Sequence, residues 1–350
     1  MAVRVGTFNC ENLFSRSKIL NLGDDPDQTA KALAALKAAG QLKKILGKAT
    51  FTPADKAKIP ELIQQGKGFF TLEEDKGKLL KSGGVVAGGA ADFFGHLRFV
   101  PKDVGETATN NTGKVIKALE ADVLCVVEVE DRNLLGHFNS QVLGSKRFDH
   151  HMLIDGNDDR GIDVGLLSNL RIHNIRTHVD DKDGNSKIFS RDCAEYEVVL
   201  ENGQSLWMLC NHFKSKGFGS TASNDARRKK QAQRVAQILA ENFDLTTDLV
   251  IVAGDLNDTP ESDPLSPLTA VPNLHNIVDT LPPDGCFTHI FGSEKSQIDY
   301  LLVSTPLKNA LSSVRIERRG MFQLPGHFPS VTGAADAASD HAAVVAEFNV

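Results

Sequence analysis

The chain has 350 residues, of which 41% are hydrophobic and 24% are charged. This composition is typical of a globular protein with one or two large hydrophobic cores, and it excludes a disordered or fibrous protein. The formal net charge of −6 argues against a surface coated with positive charge for nucleic acid, although a local basic groove is compatible with it.

The first predicted elements are a strand and a long insertion. Alternating apolar residues predict a strand from Val3 to Phe8, which delivers Asn9 to a loop. Residues 15–110 differ in composition from the rest, so we interpret them as an insertion packed beside the main fold. Within it, helices are predicted at 27–46 and 53–65, the second broken near Pro60, and hairpins are predicted over 69–100.

Helices and buried strands alternate from Thr112 onward. The predicted elements are a helix at 113–120, strands at 123–127, 160–168, 195–200 and 205–210, a helix at 225–241, and strands at 249–257, 298–303 and 342–348. Two of these strands form a predicted hairpin around Asn202-Gly203. Because hairpins and helical crossovers occur together, the pattern favours a mixed α/β layered fold over a purely parallel sheet.

Polar side chains stand at or beside the ends of these strands. They are Asn9, Glu128, His212, Asp255, Asn257, Asp299, Asp340 and His341. Hard divalent cations such as Mg²⁺ prefer oxygen ligands and keep several waters, so one or two carboxylates and a substrate phosphate are enough to hold them. We therefore expect Glu128 and Asp340 to be metal ligands.

The other polar residues at strand ends fit a site in which water attacks a phosphodiester. In-line attack needs a base or an orienting group on one side and stabilisation of charge on the other. His341, oriented by Asp299, would suit either activation of the attacking water or control of protonation during the reaction. His212 and Asn257 would donate hydrogen bonds to the phosphate.

Six short motifs carry a resemblance to a known family. They are Thr7-Phe8-Asn9, Val127-Glu128-Val129, Asn211-His212, Gly254-Asp255-Leu256-Asn257, Ile298-Asp299-Tyr300 and Ser339-Asp340-His341. In this order they resemble the endonuclease/exonuclease/phosphatase superfamily, which has the deoxyribonuclease I-like fold, over nearly the whole chain except the insertion. The resemblance implies an α/β four-layer sandwich, in which two packed mixed β-sheets are flanked by helices. It also implies a phosphoesterase site at one edge that depends on Mg²⁺, with Mn²⁺ as a substitute.

The same resemblance implies roles for individual residues. Asn9 and Glu128 would lie at the metal, and Asp255 and Asn257 at the attacking water and the phosphate. Asp299 and His341 would form a dyad. Family members differ on whether the base corresponds to Asp255 or to His341, and the sequence leaves both open.

Two nearby charged segments are expected to have no role in catalysis. Gly254 to Asp258 also resembles the G-D-x-x-D motif of calcineurin-like metallophosphatases, but the segment that would match their later G-N-H motif, at His212, precedes it instead of following it. Asp258 is therefore predicted to be a solvated turn residue before Thr259-Pro260. The basic run at 227–230 is predicted to be the solvated face of an amphipathic helix.

Other charged residues have weaker predictions. Asp163 is expected either to orient His212 or to close a turn with Arg160. Six histidines, among them His289, lack a matched partner in the sequence, and most of the six are expected to be ordinary surface or packing residues.

The substrate remains open between classes. Lys214 and Lys216, directly after His212, favour a nuclease or phosphodiesterase that acts on DNA or RNA. The acidic net charge favours a phosphatase or phosphodiesterase for a lipid headgroup or small phosphoester. A non-catalytic binding protein on the same fold is the third hypothesis, and the intact acids and histidines argue against it.

Cysteine usage and hydropathy predict the cellular setting. The five cysteines are scattered and lack a C-x-x-C spacing, so they predict neither a disulfide framework nor a zinc ribbon. The first residues lack the features of a signal peptide, and no apolar run approaches the length that spans a membrane. We expect a cytoplasmic protein without an integral membrane segment.

Overall fold

A computed structural model of the protein describes residues 2–13, 26–100, 107–158, 160–217 and 219–350. The chain divides into two compact units, the first made of Met1–Phe14 and Val104–Val350 and the second of Ser15–Asp103. The predicted start of the insertion, at residue 15, lies outside the described residues. Residues 107–110, at its predicted end, form the first turn of a helix in the first unit.

The helices and strands are numbered in chain order. The helices are α1 (Pro26–Leu46), α2 (Pro53–Gln65), α3 (Thr107–Leu119), α4 (Arg132–Phe138), α5 (Thr221–Asn242), α6 (Ser266–Thr269) and α7 (Thr305–Ala310). The strands are β1 (Ala2–Leu13), β2 (Phe70–Lys76), β3 (Leu80–Lys81), β4 (Gly84–Val85), β5 (Phe94–Phe99), β6 (Val123–Val129), β7 (His150–Leu153), β8 (Asp163–Ser168), β9 (Arg171–Arg176), β10 (Lys182–Asp183), β11 (Ser186–Lys187), β12 (Cys193–Val199), β13 (Ser205–His212), β14 (Leu249–Asp255), β15 (Leu274–Asn276), β16 (His289–Phe291), β17 (Glu294–Ser296), β18 (Asp299–Ser304), β19 (Leu311–Glu317) and β20 (Ala343–Asn349).

The second unit contains the predicted helices and hairpins. β2 pairs with β5 and β3 with β4, both antiparallel. α2 begins at a capping box, in which the Thr52 hydroxyl accepts the Asp55 N–H and the Asp55 carboxylate accepts the Thr52 N–H. The prediction that this helix breaks near Pro60 is wrong. Ile59 and Leu62 are buried on either side of the proline, and their packing holds the helix together despite the lost hydrogen bond.

Two six-stranded mixed sheets form the first unit. The strand order is β19-β20-β1-β6-β8-β7 in the first sheet and β15-β18-β14-β13-β12-β9 in the second. β1 runs parallel to β6, and β13 runs parallel to β14. The other neighbours within these two sheets are antiparallel, including the predicted hairpin of β12 and β13.

The sheets pack face to face, and helices cover their outer faces. The core between the sheets includes Val5, Cys125, Met208, Ile251 and Leu301. Alternate residues of the same strands face outward, where the first sheet packs against α3 and α4 and the second against α5. These four layers confirm the predicted α/β sandwich of two mixed sheets flanked by helices.

Strand alternation also places the polar residues. Neighbouring residues on the same face of each strand belong to the core between the sheets, such as Val5 on β1, Cys210 on β13, Ala253 on β14 and Leu301 on β18. The side chains that continue these inner faces are Asn9 on β1, His212 on β13, Asp255 on β14 and Asp299 on β18. The apolar core therefore ends in polar groups at one edge of the sandwich.

Two further features concern the cysteines and the hydropathy of the helices. Each of the five cysteines is free, and four of them are buried. Among the described residues, no helix combines the length and the apolar character needed to cross a membrane.

Candidate active site

Three of the predicted residues form one row across the second sheet. His212 pairs in register with Asp255 on the neighbouring strand, and Asp255 pairs with Asp299 on the next. All three are buried. Burial raises the pKa of Asp255 to about 7, and the negative charges of Asp299 and Glu128 add to this effect while the positive charge of His341 opposes it. A carboxyl group of this kind exchanges protons near neutral pH.

Asn9 and Glu128 join this row from the first sheet. The Asn9 side-chain N–H group donates to Glu128 Oε1 over 3.3 Å and to Asp255 Oδ2 over 3.1 Å, while its Oδ1 accepts the Glu11 N–H. Glu128 has a positive φ of 63°, at a point where the pairing of β6 shifts register between Val127 and Val129. This irregularity in the strand brings the Glu128 carboxylate to the cleft.

The predicted dyad of Asp299 and His341 is present. His341 Nδ1 donates to Asp299 Oδ2 over 2.9 Å, and its Nε2 lies 3.9 Å from Asp255 Oδ2 and 3.7 Å from Asp340 Oδ1. Burial lowers the pKa of His341, but the carboxylates of Asp299 and Asp255 outweigh it and hold this pKa well above its ordinary value. His341 is therefore an imidazolium at neutral pH.

A tight turn after β14 places Asn257 against Asp255. The Asn257 N–H donates to Asp255 Oδ1 over 2.8 Å, and its side-chain amide donates to Asp255 Oδ2 over 2.9 Å. Asn257 has a φ of 56°, which asparagine tolerates better than most residues. Gly254 has a φ of 128°, and a Cβ there would lie 1.9 Å from the Asn211 carbonyl oxygen, so only glycine fits.

His212 is buried and neutral. Its Nε2 lies 3.6 Å from Asp255 Oδ2 and 3.7 Å from Glu128 Oε1. Burial lowers the pKa of His212 well below its ordinary value, and the nearby Arg191 guanidinium lowers it further. Asp163 accepts the Gly156 N–H over 2.8 Å, and His212 Nδ1 makes no hydrogen bond within the described part of the chain. Asp163 therefore holds the backbone at Gly156 instead of orienting His212, and Arg160, the predicted partner of Asp163 in a turn, pairs with Asp158.

Acidic groups and His289 line one side of the cleft. Asp340 lies with one carboxylate oxygen 3.6 Å from His289 Nε2, and its N–H donates to Glu11 Oε2 over 2.8 Å. The ring centroids of His289 and His341 are 4.9 Å apart. His289 is therefore an exception among the histidines of which most were expected to be ordinary surface or packing residues. No motif marks it, because it reaches the cleft only through the pairing of its hairpin with the segment before β20.

The donors on this side fit a divalent cation. Glu128 and Asp340 expose 18% and 43% of their side chains and both line the cleft. Burial raises the pKa of Glu11, and the charge of Asp340 raises it further, so negative charge is concentrated here. Carboxylates with this degree of exposure are the ligands that Mg²⁺ prefers. Among the residues that the structure describes, ligand atoms within 4.8 Å of one another are also found in two groups of three, which are His289, Asp340 and His341, and Asp255, Asp299 and His341.

Cationic side chains also line the cleft. The lining residues of positive charge are Arg160, Arg191 and Lys216, in a cleft of about 640 Å³. Lys214, in contrast, turns its amino group to the Gly217 and Ser215 carbonyl oxygens. Arg191 was not predicted as a site residue. It lies between β11 and β12, where only a short Ser-Arg-Asp precedes the strand, and nothing in its spacing distinguishes it from a loop arginine.

Two predictions about charged residues near the site are wrong. Asp258 is buried, where it accepts the Arg228 Nε–H over 3.0 Å and lies 3.0 Å from Lys216 Nζ. Arg228, predicted to lie on a solvated face, has 1% of its side chain exposed and also donates to the Lys214 carbonyl oxygen and to Asp225. The pair joins α5 to the two loops that carry the cleft residues.

The chain resembles known proteins in sequence and in fold. A model of the Endonuclease/Exonuclease/phosphatase family matches residues 105–341. No curated protein matches the chain. An endonuclease/exonuclease/phosphatase family protein from Bacteroides thetaiotaomicron aligns with a TM-score of 0.54 and 13% identity, and one from Bacteroides vulgatus with 0.51 and 12%; each alignment covers 100% of this chain and 99% of the other. A third, from Beutenbergia cavernae, aligns with a TM-score of 0.50 and 16% identity over 69% of this chain and 66% of the other. At these identities the structural likeness establishes the fold.

Proposed function

The chain belongs to the endonuclease/exonuclease/phosphatase family, whose members hydrolyse phosphoester bonds, and from this we propose that it is a divalent-metal-dependent phosphodiesterase acting on nucleic acid. The observation that carries the proposal is the meeting of groups from both sheets at one cleft. A carboxyl with a pKa of about 7, a charged histidine and a neutral histidine lie together there.

Asp255 is the proposed general base. Its raised pKa suits the removal of a proton from water at neutral pH, and its two oxygens are oriented by Asn257 and Asn9. His341 is already protonated, because Asp299 holds the charge on its ring, and so it serves as a hydrogen-bond donor to the phosphate instead of as a base.

His212 completes the binding of the scissile phosphate, whereas Asn257 uses its two side-chain N–H bonds on Asp255 Oδ2 and the Phe213 carbonyl oxygen and so positions the base. A neutral His212 donates one hydrogen bond without adding a buried charge. The attacking oxygen forms its bond to phosphorus as the bond to the leaving oxygen breaks, and the proton of the water passes to Asp255.

A divalent cation would be held by Glu128 and Asp340, with Asn9 beside them. When bound, it would neutralise negative charge on the phosphate oxygens. Mg²⁺ is the proposed ion and Mn²⁺ a substitute, because the donors are oxygens with partial exposure to solvent.

Nucleic acid is the proposed substrate because cations line the side of the cleft around His212. A phosphatase or phosphodiesterase for a small phosphoester or lipid headgroup is the second candidate, and the formal net charge of −6 favours it, since a long polyanion is repelled at a distance.

One panel of substrates tests the function. The full chain is assayed on plasmid DNA, RNA, bis(p-nitrophenyl) phosphate, p-nitrophenyl phosphate and a phosphoinositide, with Mg²⁺, Mn²⁺ or EDTA. We expect cleavage of nucleic acid and of the diester that EDTA abolishes. Preferred turnover of the monoester or the phosphoinositide would instead support the second candidate.

Variants separate the site from the rest of the molecule. Asp255→Asn and His341→Asn should each lower activity by a factor of about 10² or more, while the temperature at which the chain unfolds stays the same. Asp263→Asn is the matched control, because this aspartate is exposed and pairs with Lys229 away from the cleft. Full activity in EDTA, or in both site variants, would refute the mechanism.

A further inference from the structure

Arg191 is a buried guanidinium in the wall of the cleft. Its side chain is 4% exposed and its Nε lies 3.2 Å from Asp158 Oδ2, yet the Nε–H makes no hydrogen bond within the described residues. Nη1 donates to the Phe213 carbonyl oxygen over a long 3.4 Å. An arginine has five N–H donors, and buried donors are normally satisfied. The geometry therefore leaves donors of Arg191 for an acceptor in the cleft.

Cationic groups are concentrated in this wall of the cleft, and they share carboxylates with one another. Asp158 is shared by two guanidiniums, since Arg160 Nη2 also lies 2.8 Å from its Oδ2. Lys216 extends into the same cleft, with 61% of its side chain exposed. Burial lowers the pKa of Lys214, and the charges of Arg191 and Arg160 lower it further, as expected where positive charges are only partly neutralised.

We propose that Arg191 and Arg160 form an anion subsite that binds a second phosphate of the substrate, adjacent to the scissile one. This inference rests on the proposed function and sharpens it, because it requires a substrate with at least two phosphates along one chain. Guanidinium groups bind phosphate through two parallel hydrogen bonds. Because the Asp158 carboxylate fixes the positions of both arginines, little rearrangement is needed for this contact.

The size of the cleft supports a second phosphate. The scissile phosphate is assigned to His212 and His341, beside the proposed base Asp255. A volume of about 640 Å³ falls within the range of sites that enclose ligands of drug size, well beyond a single phosphate group. The two arginines are also anchored separately from the catalytic dyad. Asp158 pairs with both of them, and among the described residues it contacts neither His341 nor Asp299.

The test compares two substrates that differ in the number of phosphates. A short oligothymidylate carries several, whereas bis(p-nitrophenyl) phosphate carries one. Arg191→Gln should raise KM for the oligothymidylate by about 10- to 100-fold, as expected for loss of a charge-assisted hydrogen bond, and change kcat/KM for the diester by a much smaller factor. The slope of log KM against log salt for the oligothymidylate should also decrease by about 1.

A second variant guards against loss of folding. Arg160 has 54% of its side chain exposed, so Arg160→Gln removes a cation from the subsite without leaving a buried charge unpaired. Arg160→Gln should also raise KM for the oligothymidylate. If Arg191→Gln does not fold, this variant alone tests the proposal. Lys229→Gln is the control, since Lys229 pairs with Asp263 and does not line the cleft.

Equal losses on both substrates would overturn the proposal, because Arg191 would then act on the scissile phosphate. Unchanged KM in the folded variants would overturn it as well. If the wild-type chain hydrolyses neither substrate, the proposed function fails, but the subsite is still tested by fluorescence anisotropy. Labelled oligothymidylate should then bind about tenfold or more weakly when Arg191→Gln is added to the Asp255→Asn chain.

Discussion

Arg228→Met should destabilise the first unit far more than an ordinary surface substitution. Arg228 and Asp258 expose 1% and 8% of their side chains, so methionine fills much of the space but leaves Asp258 as a buried carboxylate without its main partner. Breaking a buried pair on one side typically costs about 3–5 kcal/mol, and we expect a loss of this size in the free energy of unfolding.

Lys229→Met is the matched comparison. Lys229 is the next residue on the same helix, with 39% of its side chain exposed and a partner, Asp263, that is 78% exposed. Loss of such a surface pair should cost less than about 1 kcal/mol. Adding Asp258→Asn to Arg228→Met removes the unpaired charge and should recover about 1–3 kcal/mol.

Urea unfolding monitored by tryptophan fluorescence measures these differences. The chain has a single tryptophan, Trp207, on β13 of the first unit, where its ring packs 5.4 Å from that of Phe243. The signal therefore reports this unit without interference from the second. Equal midpoints for Arg228→Met and Lys229→Met would refute the argument that burial makes this pair important.

Three further predictions concern the site and its surroundings. Asp299→Asn should lower kcat by about 10²- to 10⁴-fold and move the alkaline limb of the pH–rate profile to lower pH, because His341 loses the carboxylate that raises its pKa; an unmoved limb would contradict this. Glu128→Gln should weaken Mg²⁺ binding by about tenfold or more, measured by isothermal titration calorimetry, whereas unchanged affinity would remove Glu128 from the metal site. Burial raises the pKa of Asp163 to about 6, so its stabilising effect is full below about pH 4 and is lost as the pH rises through about 6. Between pH 4 and pH 7 the wild type should lose about 2 kcal/mol of unfolding free energy relative to Asp163→Asn, after allowance for solvent screening, and parallel curves would exclude this effect.

Much of the sandwich and several site residues could be predicted, because the sequence of a buried strand shows where the strand ends. A run such as Leu249 to Ala253 is apolar on both faces, and the first polar residue after it marks where the core stops. Alternation then fixes the face on which Asp255 lies. These signals are local, so a single sequence contains them.

The residues that were wrongly predicted or missed owe their positions to contacts between segments far apart in the sequence, which a local sequence pattern does not reveal. Asp258 follows a turn signal and Arg228 lies in a basic run, yet each is buried because α5 docks beside the loop after β14. His289 and Arg191 enter the cleft from a hairpin and a loop whose docking depends on distant strands. Burial of a charged residue depends on what packs over it, and a sequence window does not show that.

The backbone at Glu128 and Asn257 also bears on how this protein could evolve. Both residues have φ values in the left-handed region, at 63° and 56°, which costs about 1–2 kcal/mol for an ordinary side chain such as that of Glu128 and less for an asparagine. A glycine at either position would relieve that cost but would remove a side chain that the cleft uses. Selection for thermal tolerance and selection for turnover therefore oppose each other at these two positions. Relatives adapted to heat should gain their stability elsewhere, in the sandwich core and in the loops.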